Sequence, residues 1–251
     1  MLLQELRGSE RKVYSALRSG FAVYTQPKVD GVRCLWTRSG PIGRNGMLSR
    51  ETVAHIAPFA EAILRRFSDT EAIDGELYAD GLSPGEIGAF LRHGKPMPNL
   101  RWAAFDCVLG DLSAQFSRRW DALCVAWGRS AVGTLVPTTQ VRSMNEIYEQ
   151  LNQARSAGGE GIVVRMPGRY VFKRSFSALK AKCWRWTTGT IVAVRDQSVQ
   201  VVAETGGALW IKGSGAIGES VSLRYYGLSE LGKPLNAVSY THLTLPTILL
   251  V

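Results

Sequence analysis

The chain has 251 residues, with 30 lysines and arginines against 21 aspartates and glutamates, a formal net charge of +9 and a pI near 9.6. Hydrophobic residues at 45% and charged residues at 20% exclude wholesale disorder, and no apolar run approaches the roughly 20 residues of a membrane helix. The first residues, Met1 to Arg7, lack the basic flank and apolar segment of a secretory signal, so a soluble cytoplasmic protein is expected. The surplus of positive charge calls for an anionic partner, with nucleic acid the first candidate.

Cys34, Cys107, Cys124 and Cys183 are scattered with no C-x-x-C, and His55, His93 and His242 are not spaced to complete a zinc set. Reduced, mostly buried thiols are expected. In residues 187–251, Arg195, Lys212, Arg224 and Lys233 cancel Asp196, Glu204, Glu219 and Glu230, so residues 1–186 carry the whole +9. That shift in composition predicts a domain boundary just after Lys182-Cys-Trp-Arg-Trp186.

In chain order, residues 9–18 read as a short helix. Phe21-Ala-Val-Tyr24 and Gly31-Val-Arg-Cys-Leu-Trp36 read as strands flanking a tight Asp30-Gly31 turn. Val53, Ile56, Phe59, Ile63, Leu64 and Phe67 recur at helical spacing and predict a helix over Glu51–Phe67. Strand-like runs follow at 71–78, 101–108 and 161–165, with a helix at 144–156. This irregular order predicts an α+β domain rather than βαβ repetition. After residue 187 the pattern changes to short alternating strands at 189–194, 199–203, 208–211 and 221–225. Closely spaced strands of that kind predict a small β-barrel of OB-fold type.

The sharpest chemical signal is Lys28-Val-Asp30-Gly31-Val-Arg33. A lysine at a strand end can attack a bound phosphate once burial and nearby cations lower its pKa and free the amine lone pair. Gly31 allows a tight turn close to a ligand, and the Arg33 fork can brace phosphate oxygens. Downstream, in order, lie Asp74-Gly75-Glu76-Leu77, Phe105-Asp106, Glu160-Gly161-Ile-Val-Val-Arg165 and Leu179-Lys180-Ala-Lys182.

This ordered series resembles the covalent nucleotidyltransferase superfamily, specifically the small ATP-dependent DNA ligases of phages and bacteria, over about residues 20–235. The resemblance implies a nucleotidyltransferase domain of ATP-grasp-like mixed sheets with helices over 1–186. An OB-fold domain over 187–235 would follow it. It also implies ATP and Mg2+ as cofactors, nicked double-stranded DNA as partner and a monomer in solution.

Lys28 would then take AMP from ATP as a phosphoramidate. Lys180 and Lys182, two apart on a strand and so on one face, would contact the AMP phosphate. Glu76 would meet the ribose hydroxyls, Phe105 would stack on the adenine, and Glu160 would place the divalent metal. Gln26 stands where many DNA ligases carry Glu, a position of adenine contact. Asp30 and Arg33 would also meet the nick 5′-phosphate. The nicked strand would be touched by Arg50, in Leu48-Ser49-Arg50, or alternatively by Arg44. Arg119 matches a family arginine of unclear duty and is equally accounted for by a surface salt bridge.

Capping guanylyltransferases share the first two motifs, typically with Asp in place of Glu160, and RNA ligases usually lack the full K-x-D-G-x-R. Both remain alternatives, as does a catalytically impaired DNA-binding fragment. The resemblance ends near Pro234, before the basic-aromatic motif that orients ATP in the family. Residues 236–251 therefore read as a non-native or divergent tail, and weak self-adenylation is expected.

Overall fold

The structure, a computed structural model, describes residues 2–66, 69–225, 227–229, 232–235 and 237–240. Phe67, expected to end a helix, and the last eleven residues of the tail, 241–251, lie outside them. Contacts within the chain define two units, Met1–Ala181 and Lys182–Val251.

The first unit runs β1 (Leu2–Glu5), α1 (Glu10–Arg18), β2 (Val23–Pro27), β3 (Val32–Thr37), β4 (Gly40–Gly43), β5 (Gly46–Met47), α2 (Ala57–Arg66), β6 (Thr70–Tyr78), α3 (Pro84–His93), β7 (Arg101–Leu109) and α4 (Phe116–Ala126). It continues through β8 (Gly133–Leu135), β9 (Thr139–Val141), α5 (Met144–Ser156), β10 (Gly161–Arg165) and β11 (Arg174–Lys182). The strands form two sheets, in the orders β1-β11-β10-β2-β9 and β5-β4-β3-β6-β7-β8. Parallel pairing of β1 with β11, and of β7 with β8, makes both sheets mixed. The architecture is α+β, as the sequence pattern predicts.

Three buried clusters hold the layers. Val13, Ala16 and Ile147 bring α1 and α5 onto Val23, Ile162 and Val164 of the first sheet. Ile63, Leu64, Ile87 and Leu123 bring α2, α3 and α4 onto Trp36, Ile73, Leu77 and Trp102 of the second. Leu35, Ala72 and Val108 of the second sheet meet Val163 and Ala178 of the first, so the sheets pack face to face. Each large aliphatic side chain buried this way contributes about 1.5–3 kcal/mol.

The predicted Glu51–Phe67 helix is shorter than its apolar spacing implies. α2 begins at Ala57, with Pro58 in its first turn, where a fixed φ and a missing N–H are tolerated. Residues 51–56 make isolated turns that nevertheless bury Val53 and Ile56.

The second unit contains β12 (Arg185–Arg195), β13 (Ser198–Ala203), β14 (Ala208–Lys212), β15 (Ser220–Tyr225), β16 (Gly227–Leu228), β17 (Pro234–Leu235) and β18 (Val238–Tyr240). Ile191, Val199, Val201, Leu209, Ile211 and Leu223 alternate inward to make its core. The main sheet has the order β14-β13-β12-β15-β18, and its edges are in contact, without a hydrogen-bonded closure among the described residues. Arg185 and Trp186 pair with Tyr225 and Arg224, inside the second unit. Among the described residues of the tail, Val238–Tyr240 pairs antiparallel with β15. Among the described residues no helix is long and apolar enough to cross a membrane.

Candidate functional site

β2 ends at Pro27, and Lys28 follows it directly. Pairing of Pro27 with Ile162 brings this end against the start of β10. The Lys28 N–H donates to the Gly161 carbonyl at 2.9 Å. Glu160, just before β10, holds the Lys28 ammonium in an ion pair; the two side chains are 19% (Lys28) and 5% (Glu160) exposed. Lys28 thus has a carboxylate as its ion-pair partner, where the sequence reading anticipates nearby cations. A half-buried ammonium is better stabilised by an opposite charge than by a like one.

Gly31 explains the Asp30-Gly31 step. Its φ is not left-handed; instead, a Cβ there would lie 2.2 Å from the Leu77 carbonyl oxygen and 2.9 Å from Glu76 Cγ. Absence of a side chain lets the segment after Lys28 press against β6. Glu76 is consequently close to Lys28, and it is half-buried. Burial pushes its carboxyl up to about 8; Lys28 and Arg33 oppose that rise, while Asp74 and Glu160 reinforce it.

Arg33 and Glu76 are partners in the β3–β6 register. The Arg33 fork donates from Nε and Nη2 to the two Asp74 carboxylate oxygens, each at 2.9 Å. Arg33 Nη2 also donates to the Tyr170 hydroxyl at 2.8 Å, and that hydroxyl donates to Asp74 at 2.7 Å. Burial pulls the Arg33 pKa down, but Asp74 and Tyr170 outweigh it and hold the pKa above its ordinary value. Burial, followed by Asp74, pushes the Tyr170 phenol well up, so it remains a donor.

A second network adjoins these residues. Gln26 is buried; its Nε2 donates to the Phe105 carbonyl at 3.0 Å and to Thr138 Oγ1 at 2.9 Å. Arg165 Nε donates to Gln26 Oε1 at 2.7 Å, and its guanidinium lies 5.1 Å from the Phe105 ring centroid. Asp106 accepts from Arg119 Nε and Nη2, at 2.8 and 3.1 Å, and from Arg165 Nη1 at 3.5 Å. Arg119 is 1% exposed. Of the two accounts the sequence leaves open for Arg119, the surface salt bridge does not hold: its pair with Asp106 is buried and anchors the Phe105-Asp106 strand.

The remaining predicted residues lie apart in their contacts. Lys180 pairs with Glu5 at 3.0 Å across the β1–β11 register. Lys182, assigned to the second unit, has its ammonium 5.5 Å from the Trp184 ring centroid. Asp30 and Arg44 are exposed. Arg50 is exposed too, and it donates to the Ser39 carbonyl in the β3–β4 turn. Asp74, Asp106 and Arg165 stand inside the motifs read from the sequence, which give them no separate role. Tyr170 and Thr138 lie outside every motif and carry no sequence signal.

The arrangement is an amine flanked by two carboxylates, a guanidinium fixed beside it, and an aromatic ring backed by a buried amide. Such a set can hold a nucleotide and accept the proton that a lysine must lose to act as a nucleophile.

No profile of a known protein family matches the chain. It is 26% identical over 230 residues to a DNA ligase of Haemophilus influenzae, covering 82% of this chain and 81% of the relative. A solved Lig E DNA ligase aligns with a TM-score of 0.68 at 19% identity, over 96% of this chain and 97% of the other. The ATP-dependent DNA ligase of bacteriophage T7, solved in complex with ATP, aligns with a TM-score of 0.53 at 13% identity, over 91% and 94%. The sequence relative and these structural neighbours are thus DNA ligases, that of bacteriophage T7 being ATP-dependent, and the chain shares their fold.

Proposed function

We propose that this chain, which has the fold of ATP-dependent DNA ligases and a DNA ligase as a sequence relative, seals 5′-phosphate/3′-hydroxyl nicks in duplex DNA through a lysyl-AMP intermediate. The observation that carries the reading is the Lys28 amine held by Glu160 beside Glu76, at the joined ends of β2 and β10. Lys28 Nζ, after losing a proton, forms a bond to the α-phosphorus of ATP as pyrophosphate leaves. The nick 5′-phosphate oxygen then attacks that phosphorus and releases Lys28. Finally the 3′-hydroxyl attacks the 5′-phosphorus, and AMP departs with the bonding electron pair.

The other residues supply position and charge. Phe105 offers a ring face to the adenine, with Gln26 and Arg165 fixing the strand beneath it. Glu76 meets the ribose hydroxyls, and Lys180 and Lys182 meet the AMP phosphate. Asp30 and Arg33 face the nick phosphate, with Asp74 and Tyr170 orienting the Arg33 fork. Arg50 and Arg44 add phosphate contacts along the nicked strand.

Among the described residues no cluster of three or more metal-ligating side chains is present. The Glu160 carboxylate suits an ion such as Mg2+, which takes one or two carboxylates and completes its shell with phosphate oxygens and water. Glu160 would hold it, and it would neutralise triphosphate charge there.

Incubation with labelled ATP and Mg2+, with GTP in parallel, tests this directly. Covalent label from ATP only, absent in Lys28→Ala, together with sealing of a nicked duplex, is the expected result. Binding to nicked DNA without label or sealed product would overturn the enzymatic reading.

A further inference from the structure

The segment joining β10 to β11 is tied down by buried polar groups. Arg119 Nη1 donates to the Gly168 carbonyl at 3.0 Å as well as to Ala114 at 2.6 Å. Tyr170 is buried, with its hydroxyl in the Arg33–Asp74 pair. Gln115 and Arg169 form an isolated antiparallel bridge, and the Met166 N–H donates to Ser177 at 2.9 Å. A segment so pinned cannot turn to bury an apolar side chain, yet it presents Phe172 at 65% exposure.

Phe172 and Leu112, itself 60% exposed, line an open cleft of about 420 Å3 together with Arg169, Tyr170 and Lys173. Arg169, Lys173 and Arg174 are all exposed, and no acid occurs between Met166 and Phe176. Asp111, the acid next to Leu112 in the chain, is engaged by Ser113 and by Arg118 at 3.3 Å. Further along, Lys12 Nζ sits 3.0 Å from the centroid of the exposed Phe176 ring. Cations interleaved with aromatic rings, with no acid among them, suit a ligand that alternates phosphates with flat apolar groups.

From this surface we infer that Phe172, flanked by Arg169 and Lys173, is a second nucleic-acid contact separate from the Lys28 cluster. It receives one nucleotide of the nicked duplex, with phosphates on the two cations and the sugar and base edge against the ring. The inference rests on the proposed ligase reading. It adds a specific aromatic anchor, made rigid by Arg119 and Tyr170, to the general attraction of a basic protein for DNA.

Equilibrium binding of a nicked duplex at several salt concentrations, alongside labelling of Lys28 by ATP, tests the anchor. Phe172→Ala is expected to weaken binding by about fivefold or more, with the salt dependence unchanged. Phe172→Trp restores it. Arg169→Gln combined with Lys173→Gln lowers the slope of log K against log salt by about two. Labelling by ATP stays at the wild-type level in all of them, which shows that the fold is intact. Should Phe172→Ala alone lose labelling, the double cation variant carries the test. Unchanged affinity and slope in a wild type that labels and seals would overturn the inference and turn the patch over to a protein partner. Failure of the wild type itself to label or to bind nicked DNA would instead bring down the ligase reading, and the anchor with it.

Discussion

Arg165 donates through Nε to the Gln26 side-chain oxygen, 2.7 Å away, from the end of β10 to the neighbouring β2. The same Gln26 donates from its amide nitrogen to the Phe105 carbonyl and Thr138. An amide satisfies both demands at once, accepting on one side and donating on the other. Gln26→Glu keeps the acceptor but turns a carboxylate oxygen toward the Phe105 carbonyl. Loss of about 1–3 kcal/mol is expected, read as a lower urea midpoint near neutral pH. An unchanged midpoint would mean that the two donated bonds contribute nothing.

Asp106 joins two buried guanidiniums, those of Arg119 and Arg165. Asp106→Asn leaves both positive charges without their carboxylate, which is expected to cost about 3–5 kcal/mol. Arg119→Met in the same chain should recover part of that loss, because one uncompensated charge is gone. Urea unfolding of the two single variants and the double variant gives the coupling. Purely additive losses would show that the ion pair is not made.

What the sequence reveals here depends on whether a residue's role is local. Strand β10 and helix α5 match their predicted spans because hydrophobic pattern and caps set them: Ser143 accepts from the Glu146 N–H at the α5 start. α3 carries an equally local signature, a capping box from Ser83 to Glu86 with Pro84 following the cap, and could have been located by it. α4 is preceded by Gln115 at its N-cap, with no side-chain cap bond, and gives no such cue. Lys28, Glu76, Phe105 and Glu160 are legible as motif members. Tyr170, which bonds Arg33 and Asp74, and Thr138, which bonds Gln26, are not, since they reach the site from separate loops that only the packed sheets bring together. Charge patterning likewise cannot show that an arginine such as Arg119 is buried.

Gly31 is expected to be intolerant of any side chain. In Gly31→Ala the new methyl would lie within 2.2 Å of the Leu77 carbonyl oxygen, so β6 or the segment after Lys28 must move. Overpacking of this kind costs about 1–3 kcal/mol or more. It also displaces Glu76 from Lys28, so ATP labelling falls further than stability does. Gly85→Ala, where the nearest atom is Ser83 Oγ at 3.8 Å, is the control. Equal labelling by the two variants would remove the close approach as the reason for glycine at position 31.

Glu76 makes stability depend on pH in a predictable direction. Its carboxyl sits at about 8 in the folded chain against an ordinary value of 4.5, with burial as the leading cause. Below pH 4.5 both folded and unfolded chains hold the proton, and the group is neutral to stability. Between 4.5 and 8 the unfolded chain has released the proton while the folded chain still holds it, so stability falls as pH rises. Above 8 the full penalty is present, on the order of a few kcal/mol at about 1.4 kcal/mol per pH unit. Glu76→Gln cannot ionise and escapes that penalty. Urea midpoints should therefore be similar for wild type and variant near pH 4.5, with the variant more stable at pH 8 even though its labelling by ATP is reduced. Parallel pH profiles would place the Glu76 carboxyl back in its ordinary range and leave its burial without consequence for the proton.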